Sequence, residues 1–529
     1  MAEPSKRART LTDTQVETAS QGGQPSSGRR DRLVHGWSAN LVQTLLGLSQ
    51  QLLLIPAFLH FWTSDRLAAW LAVYAAGSLV VLADAGLQMR AINRFLSFKS
   101  CADCDGRTAS FYARMLRIYL AAALAASLVI LVMAQLLPPS EMLGFRATPG
   151  FDSALIVMTL GMVFIVPSNL VSGLYRVRGK YGRTVWLQNA ALLLGQIAQL
   201  VAIAVSGSLL AVAIAYVSVQ LALAVFLLAI DAPRQFPFLR GGRASPPGLR
   251  WSLGQFARAF PFAVAGVTEL VLLNVPVLLV SALVVDRVAV AQWGLTRVIA
   301  SLVRGLCLQA ALPLAAELGH DYAIGDKERL RGLYATGSVL VTSLASVIVA
   351  GLLPFWKDFF ALWTHGSIPY DGPLAVTLLL GSAAAAPSLM AFAFANHSNR
   401  GDLLMRTKGL QLIVFLVLSL VLIPRLGPLG AALAVVASDL VVQFGLLTLV
   451  IVAQTLGRPW RHVAFLLVVS LSILLPGWSL GALVAALAPA DGLIHFLIEC
   501  TTWIVVLGLV ASPLLSRGFR ARILGLIPT

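Results

Sequence analysis

Residues 410–438 read LQLIVFLVLSLVLIPRLGPLGAALAVVAS, two apolar runs joined by a turn that Pro424 and Pro428 bound. Prolines and glycines mark turns, so the runs belong to two predicted helices, at 404–424 and 429–455. Crossing a hydrocarbon core of about 30 Å takes about 20 apolar residues at the helical rise. The segment therefore predicts two membrane-spanning helices joined by a tight connection.

The composition extends this interpretation to the whole chain. Of 529 residues, 58% are hydrophobic and 12% are charged, whereas a soluble domain has about 25% charged residues. So little charge cannot cover a water-facing surface of this size. We predict an all-α polytopic membrane protein with about 14 transmembrane helices. They are placed at 34–61, 67–89, 112–137, 152–175, 182–206, 208–231, 255–283, 287–315, 333–356, 372–396, 404–424, 429–455, 462–488 and 492–515.

The basic residues give the expected orientation. With the amino terminus inside, 32 of the 39 Lys and Arg residues fall in cytoplasmic tails and loops, five in external loops and two within a helix. This asymmetry follows the positive-inside rule and predicts that both termini are cytoplasmic. The net charge of +16 does not indicate nucleic-acid binding, because the basic residues punctuate apolar runs rather than cluster on a polar face.

A weak internal repeat divides the chain. Pro56 and Pro276 are 220 residues apart, and Trp70 and Trp293 are 223 apart. Similar offsets relate Arg178 to Arg400 and Arg183 to Arg406. The repeat predicts two six-helix lobes in parallel orientation, with substrate between them, as in some secondary transporters.

Four regions follow from this division. Residues 1–33 are polar and basic, without the apolar core of a signal peptide, and are expected to be a disordered cytoplasmic tail. Residues 34–239 form the N-lobe with helices 1–6, and 240–456 form the C-lobe with helices 7–12. Residues 457–529 contain two extra helices and a cytoplasmic carboxy terminus.

Arginines inside predicted helices are the first functional candidates, because a charge in hydrocarbon is costly and usually faces a cavity or a partner. Arg297 and Arg304 are seven residues apart on one face of helix 8. Arg90 and Arg94 are one turn apart in helix 2. Guanidinium groups match phosphate or carboxylate, so both pairs are candidate anion sites. The alternatives are that Arg90 and Arg94 snorkel to the interface, and that Arg297 and Arg304 form an ion pair with Glu269.

Acidic residues in the helices are candidates for gating or ion coupling. Glu269 precedes Pro276, which can kink helix 7, so this carboxylate either binds a coupling cation or neutralises one of the helix 8 arginines. Asp439 with Gln443 one turn on indicates a polar helix contact or a second coupling site. Asp84 in helix 2 is a further candidate.

Catalytic and metal-binding signals are lacking in the sequence. Cys101 and Cys104 form one Cys-X-X-Cys pair without the second pair that a structural zinc site needs, so we expect inert thiols in a loop. The predicted external loops are short, whereas a polytopic glycosyltransferase or polymerase, the enzyme alternative, normally needs a large external loop with catalytic carboxylates. We predict no enzyme activity, no cofactor and no metal.

The sequence LADAGL at 82–87, followed by Arg90 and Arg94, resembles the end of helix 2 in polysaccharide-export flippases. These are Wzx-type O-antigen and exopolysaccharide flippases of the MATE-like MOP superfamily. The resemblance extends over about residues 35–515 and includes LYRVRGK at 174–180, Leu312-Pro313, and LIPRLGPLGAA at 422–432.

The resemblance implies two lobes around a cationic cavity that alternates its access. The cargo would be an undecaprenyl-diphosphate-linked oligosaccharide, flipped from the cytoplasmic to the periplasmic leaflet of a bacterial inner membrane. Arg297 and Arg304 would bind the diphosphate, with Arg90 and Arg94 at the inner mouth.

Several further expectations accompany this resemblance. Glu269, and in addition Asp84 or Asp439, would couple the cycle to protons or sodium. Expected partners are membrane lipids and, beyond them, a polysaccharide polymerase and export machinery. The same superfamily contains lipid II flippases and cation-coupled multidrug antiporters, which stay as alternatives.

Overall fold

A computed structural model describes residues 27–84, 86–98, 106–241, 247–398, 400–487 and 492–511. Within these ranges the backbone forms helices and connecting turns, without strands. Twelve helices of the described chain are long and apolar enough to cross a membrane, or thirteen if one bent pair counts as a single span. The predicted fold class, an all-α polytopic membrane protein, is confirmed.

The helices fall into two runs along the chain. The first run contains α1 Ser27–Phe61, α2 Ser64–Leu79, α3 Leu87–Phe98, α4 Arg107–Leu136, α5 Phe151–Ile165, α6 Ser168–Val177, α7 Tyr181–Ser206 and α8 Leu209–Val225. The second contains α9 Leu249–Leu283, α10 Arg287–Ile324, α11 Lys327–Trp363, α12 Gly372–Ala385, α13 Pro387–His397, α14 Gly401–Leu426, α15 Pro428–Ser438, α16 Pro459–Leu487 and α17 Leu493–Ala511. α8 continues as a π-helical turn, Phe226–Asp231, and α15 continues as Asp439–Thr448 and Leu449–Thr455.

Two predicted boundaries differ from the structure. The segment predicted at 287–315 is the helix α10, which continues to Ile324; it is not among the twelve or thirteen candidate spans found in the described residues. α1 begins at Ser27 and so includes the end of the predicted tail. The remainder of that tail, together with Cys101, Cys104 and the carboxy terminus from residue 512, lies outside the described residues.

The order of helices repeats along the chain. α1 and α9 are each 35 residues long and contain Pro56 and Pro276, respectively. α5 and α6 meet at Pro167, and α12 and α13 meet at Pro387 with a bend of 50°. α7 and α14 are each 26 residues long. This spacing supports a duplicated unit, while the division into two lobes stays a prediction.

Helices of the two runs pack directly on each other. α2 contacts α9 and α10, and α3 contacts α9. Gly86, with φ +71°, makes the second approach possible, since a Cβ atom there would lie 2.7 Å from the backbone carbonyl oxygen of Ala259. Glycine alone combines this conformation with this closeness without strain. α16 packs on α11, and α17 packs on both.

An arginine joins the two runs at the turn between α9 and α10. Arg287 Nη1 donates to the carbonyl oxygens of Leu143, at 3.2 Å, and Ser281, at 2.6 Å. Its guanidinium lies 5.3 Å from the centroid of the Phe145 ring, a cation–π distance. Gly144, with φ +72°, leaves room for it, because a Cβ atom there would come within 2.0 Å of Arg287 Nη2. We call this contact the Arg287 clasp.

A second polar cluster holds three segments of the first run together. The buried carboxylate of Asp231, in the π-helical turn after α8, accepts from Arg183 Nη2 at 2.6 Å and Nε at 3.1 Å. The hydroxyl of Tyr175 in α6 donates to the same carboxylate. The bidentate ion pair therefore fixes α6 and α7 against the end of α8.

Candidate functional site

A cavity of about 330 Å³ lies among helices of the second run. Its walls come from α9, α10, α12, α13 and α15 with its π-helical continuation. Four predicted site residues line it: Glu269, Arg297, Arg304 and Asp439. Arg297 and Arg304 thus reach one space from the same face of α10, as their spacing of seven residues predicts.

Arg304 binds both carboxylates of the cavity. Its Nη2 lies 2.7 Å from Glu269 Oε2, and its Nη1 lies 3.4 Å from Asp439 Oδ2. These side chains come from α10, α9 and the π-helical segment after α15, so the ion pairs connect three separate elements. The sequence left two roles open for Glu269, binding a coupling cation or neutralising an arginine of α10. Its contact with Arg304 is the one expected of a neutralising partner.

Lys408 completes the charged network, and sequence reasoning missed it by counting it among the basic residues of a loop. Its Nζ lies 2.5 Å from Glu269 Oε1 and 2.9 Å from Gln411 Oε1. It also donates to the amide oxygen of Gln443 and lies 4.7 Å from the centroid of the Phe392 ring. Its side chain is 1% exposed, although it is only the eighth residue of α14.

Two glutamines tie the charges to neighbouring helices. Gln411 Nε2 donates to Asp439 Oδ1 at 2.5 Å. Gln443 Nε2 donates to the hydroxyl of Ser388 in α13 at 2.7 Å. The sequence contains a signal that could have found Lys408. Gln411 follows it by three residues in α14, and Asp439 is followed by Gln443 after four residues in a facing helix, so each segment has two polar side chains about one turn apart. We call Glu269, Arg304, Lys408 and Asp439 the charged tetrad.

Arg297 has a different environment from Arg304. Its Nη1 donates to the backbone carbonyl of Leu273. α9 runs through Pro276 without a break, so the predicted kink residue lies within a continuous helix. In the part of the chain that the structure describes, Arg297 Nε has no hydrogen-bond acceptor.

Arg90 and Arg94 lie away from this cavity, on α3. Arg90 Nε donates to Gln255 Oε1 of α9 at 3.3 Å, and the guanidinium of Arg94 lies 5.1 Å from the centroid of the Phe98 ring. Burial, followed by the nearby charges of Arg94 and Arg258, lowers the pKa of Arg90. The structure therefore gathers three cations near the contact between α3 and α9 and separates them from Arg297 and Arg304.

Asp84 is not part of the charged tetrad. It ends the short helical segment Val80–Asp84 and accepts from the hydroxyl of Tyr119 in α4 at 2.5 Å. Its other oxygen accepts from the backbone N–H of Gln88 at 3.4 Å. These contacts are those of a carboxylate that links α3 to α4.

Comparisons with known structures give the class of fold. The chain is similar to a structure of the lipid II flippase MurJ in an inward closed conformation, with a TM-score of 0.69 and 12% identity over 91% of this chain and 100% of that one. It is also similar to an inward-facing multidrug resistance MATE family transporter of the MOP superfamily, with a TM-score of 0.60 and 16% identity over 80% and 95% of the two chains. No family profile matches the chain, and no curated protein sequence does.

The chain therefore has a fold that flippases and multidrug transporters share. Together with its apolar helices, this makes it a multi-pass membrane protein with a transporter fold. At these identities the likeness concerns the fold alone, so the cargo has to be argued from the cavity.

Proposed function

We propose that this chain is a MOP-superfamily flippase that moves an undecaprenyl-diphosphate-linked oligosaccharide from the cytoplasmic to the periplasmic leaflet by alternating access. The observation that carries the proposal is the cavity that Arg297 and Arg304 line in a transporter fold. Arg304 and Lys408 contact the carboxylates Glu269 and Asp439, and Arg297 lines the same cavity, so these five groups have a formal charge of plus one when all are ionised. An excess of cations in a low-dielectric space favours an anionic headgroup over a cationic drug.

The path of the cargo follows from the positions of the cations. Arg90 and Arg94, placed by the positive-inside count near the cytoplasmic mouth, attract the diphosphate first. Arg297 and Arg304 then bind it deeper, while the lipid tail stays in the bilayer between the two predicted lobes. This assigns the protein to a bacterial inner membrane with both termini cytoplasmic, beside a polysaccharide polymerase and export machinery.

Coupling to protons or sodium is part of the proposal. Glu269 accepts from both Arg304 and Lys408, so a proton or cation that occupies this carboxylate would release both basic groups. An anionic headgroup can then replace the carboxylate as their partner. Asp439 and, in the first run, Asp84 are the other candidate coupling carboxylates.

Lipid II flipping is the second candidate, because the MurJ structure is similar over 91% of this chain and a diphosphate headgroup would meet the same cations. A cationic multidrug antiporter would use the acidic residues instead, but Glu269 and Asp439 already contact Arg304. Headgroup chemistry therefore separates these candidates: the first two need a diphosphate, and the third needs a cation.

Flipping in reconstituted liposomes tests the proposal. The cargo is a fluorescent undecaprenyl-diphosphate oligosaccharide, and its transfer is measured by its accessibility to an impermeant quencher. We expect Arg297→Ala to lower the rate at least about tenfold, the size of effect expected when a charged hydrogen bond is lost. Arg146→Ala is the control, since its side chain is 72% exposed and its ion pair with Glu141 lies on the surface.

The outcomes separate the candidates. Equal rates for wild type and Arg297→Ala, at equal amounts of incorporated protein, would refute the anion site. The same assay with fluorescent lipid II ranks the two diphosphate cargoes. Export of a cationic dye with no transfer of either lipid would replace the flippase by the antiporter.

A further inference from the structure

Two hydrogen-bond donors on the cavity wall have no acceptor in the described part of the chain. One is the indole Nε1 of Trp293, and the other is the Nε of Arg297. Both residues line the cavity, and both side-chain nitrogens are buried. Since buried donors are nearly always hydrogen-bonded, this pair on a cavity wall points to a bound acceptor.

The two donors share one face of α10. They are four residues apart, which on an α-helix places their Cβ atoms about 5–6 Å from each other. Trp293 is 2% exposed, so its ring is held by surrounding side chains. α10 also packs closely on α2 here, because a Cβ atom at Gly294 would lie 2.6 Å from Leu71 Cδ1. The α10 backbone that carries both residues is therefore held closely against α2.

The chemistry of these nitrogens restricts the ligand. An indole N–H donates and cannot accept, and a guanidinium is likewise a pure donor that keeps its charge. A ligand that meets both must supply acceptor oxygens, and the charge of Arg297 favours an anionic one. A cationic drug offers neither property.

Unlike Trp293 Nε1 and Arg297 Nε, which have no acceptor among the described residues, Arg304 already has acceptors in the cavity. Both of its terminal nitrogens already contact carboxylates, those of Glu269 and Asp439. An anion that approaches it must displace one of them, whereas the donors of Trp293 and Arg297 displace none.

We infer that Trp293 and Arg297 form a two-donor subsite for a phosphoryl oxygen, and that inside the cavity this pair, rather than Arg297 with Arg304, makes the first contact with the diphosphate. The inference rests on the proposed function, because it names the donors of the same cavity. It adds Trp293 as a binding residue and assigns Arg304 to the charged tetrad.

Binding of farnesyl diphosphate to the purified full-length protein in detergent micelles tests this subsite. Isothermal titration calorimetry compares wild type with Trp293→Phe, which keeps an aromatic ring but removes the N–H. The control is Trp356→Phe. Trp356 Nε1 is also buried without an acceptor among the described residues, but Trp356 does not line the cavity. Farnesol, which lacks the diphosphate, measures the contribution of the lipid tail.

We expect Trp293→Phe to weaken binding of farnesyl diphosphate about tenfold, as expected for a hydrogen bond to a charged group, with farnesol binding and the Trp356→Phe variant unchanged. Affinity for farnesyl diphosphate within twofold of wild type would overturn the subsite. If Trp293→Phe does not fold, the subsite is tested instead by ultraviolet resonance Raman spectra of the wild-type protein. Farnesyl diphosphate must then shift the indole N–H band, and an unshifted band overturns the inference.

Arg297→Ala distinguishes a failure of the Trp293 subsite from a failure of the proposed anion site. If it abolishes binding while Trp293→Phe has no effect, the subsite is wrong and the proposed anion site stands. If Arg297→Ala binds farnesyl diphosphate as tightly as wild type, the anion site of the proposed function is itself wrong.

Discussion

Replacing Lys408 by methionine should destabilise this protein strongly, although a basic residue near the start of a membrane helix is usually replaceable. Its ammonium lies 2.5 Å from Glu269 Oε1, and its side chain is 1% exposed. Removing one partner of a buried ion pair costs about 3–5 kcal/mol, because the other charge stays behind unpaired. Glu269 keeps Arg304 at 2.7 Å and is 30% exposed, so we expect the lower end, about 3 kcal/mol.

A double-mutant cycle shows whether charge is the cause. Glu269→Gln combined with Lys408→Met leaves Arg304 paired with Asp439 and restores neutrality. The double variant should therefore be more stable than the sum of the two single changes by about 2 kcal/mol, within the range for contacting residues. Equilibrium unfolding in mixed detergent micelles, followed by circular dichroism, measures these free energies.

Lys357→Met is the matched control for the cycle, because Lys357 is an exposed lysine in α11. It should change the free energy of unfolding by no more than about 0.5 kcal/mol. The reasoning fails if Lys408→Met is as harmless as this control, or if the two changes in the tetrad are additive.

Two further predictions concern contacts outside the cavity. Gly144→Ala should destabilise the fold more than Gly106→Ala does. Both glycines have positive φ, but only at Gly144 would a Cβ atom collide with Arg287. Equal melting temperatures of the two variants would contradict the Arg287 clasp. Asp231→Asn should lower the free energy of unfolding by about 1–3 kcal/mol through the loss of its charged hydrogen bonds. Glu141→Gln, in an exposed ion pair, should cost less than about 1 kcal/mol, and a similar loss in both variants, in the same unfolding assay, would refute the buried role.

The positions of the membrane helices could be predicted from the sequence because each depends on local apolar length. The segments predicted at 182–206 and 404–424 correspond to α7 and α14. The segment predicted at 287–315 likewise lies within α10. Buried inside the protein, it tolerates Arg297 and Arg304, since neighbouring helices supply partners that lipid cannot.

The candidate site was only partly predictable. Helical spacing placed Arg297 and Arg304 on one face, and both line the cavity. Spacing within one helix could not show that Arg90, Arg94 and Asp84 would make their contacts elsewhere. The position of Lys408 next to two other basic residues indicated a loop, whereas its partner Glu269 is 139 residues away in sequence.

The sequence by itself determined a chain of apolar helices, a bias in its basic residues, and a short set of charges placed within helices. Only the tertiary structure decided which charges meet: Arg304 contacts two carboxylates, Lys408 is buried beside Glu269, and Arg297 keeps a donor for a ligand. The physical reason is that apolarity and helical periodicity are local properties. Whether a buried charge is neutralised depends on which helix faces turn toward each other.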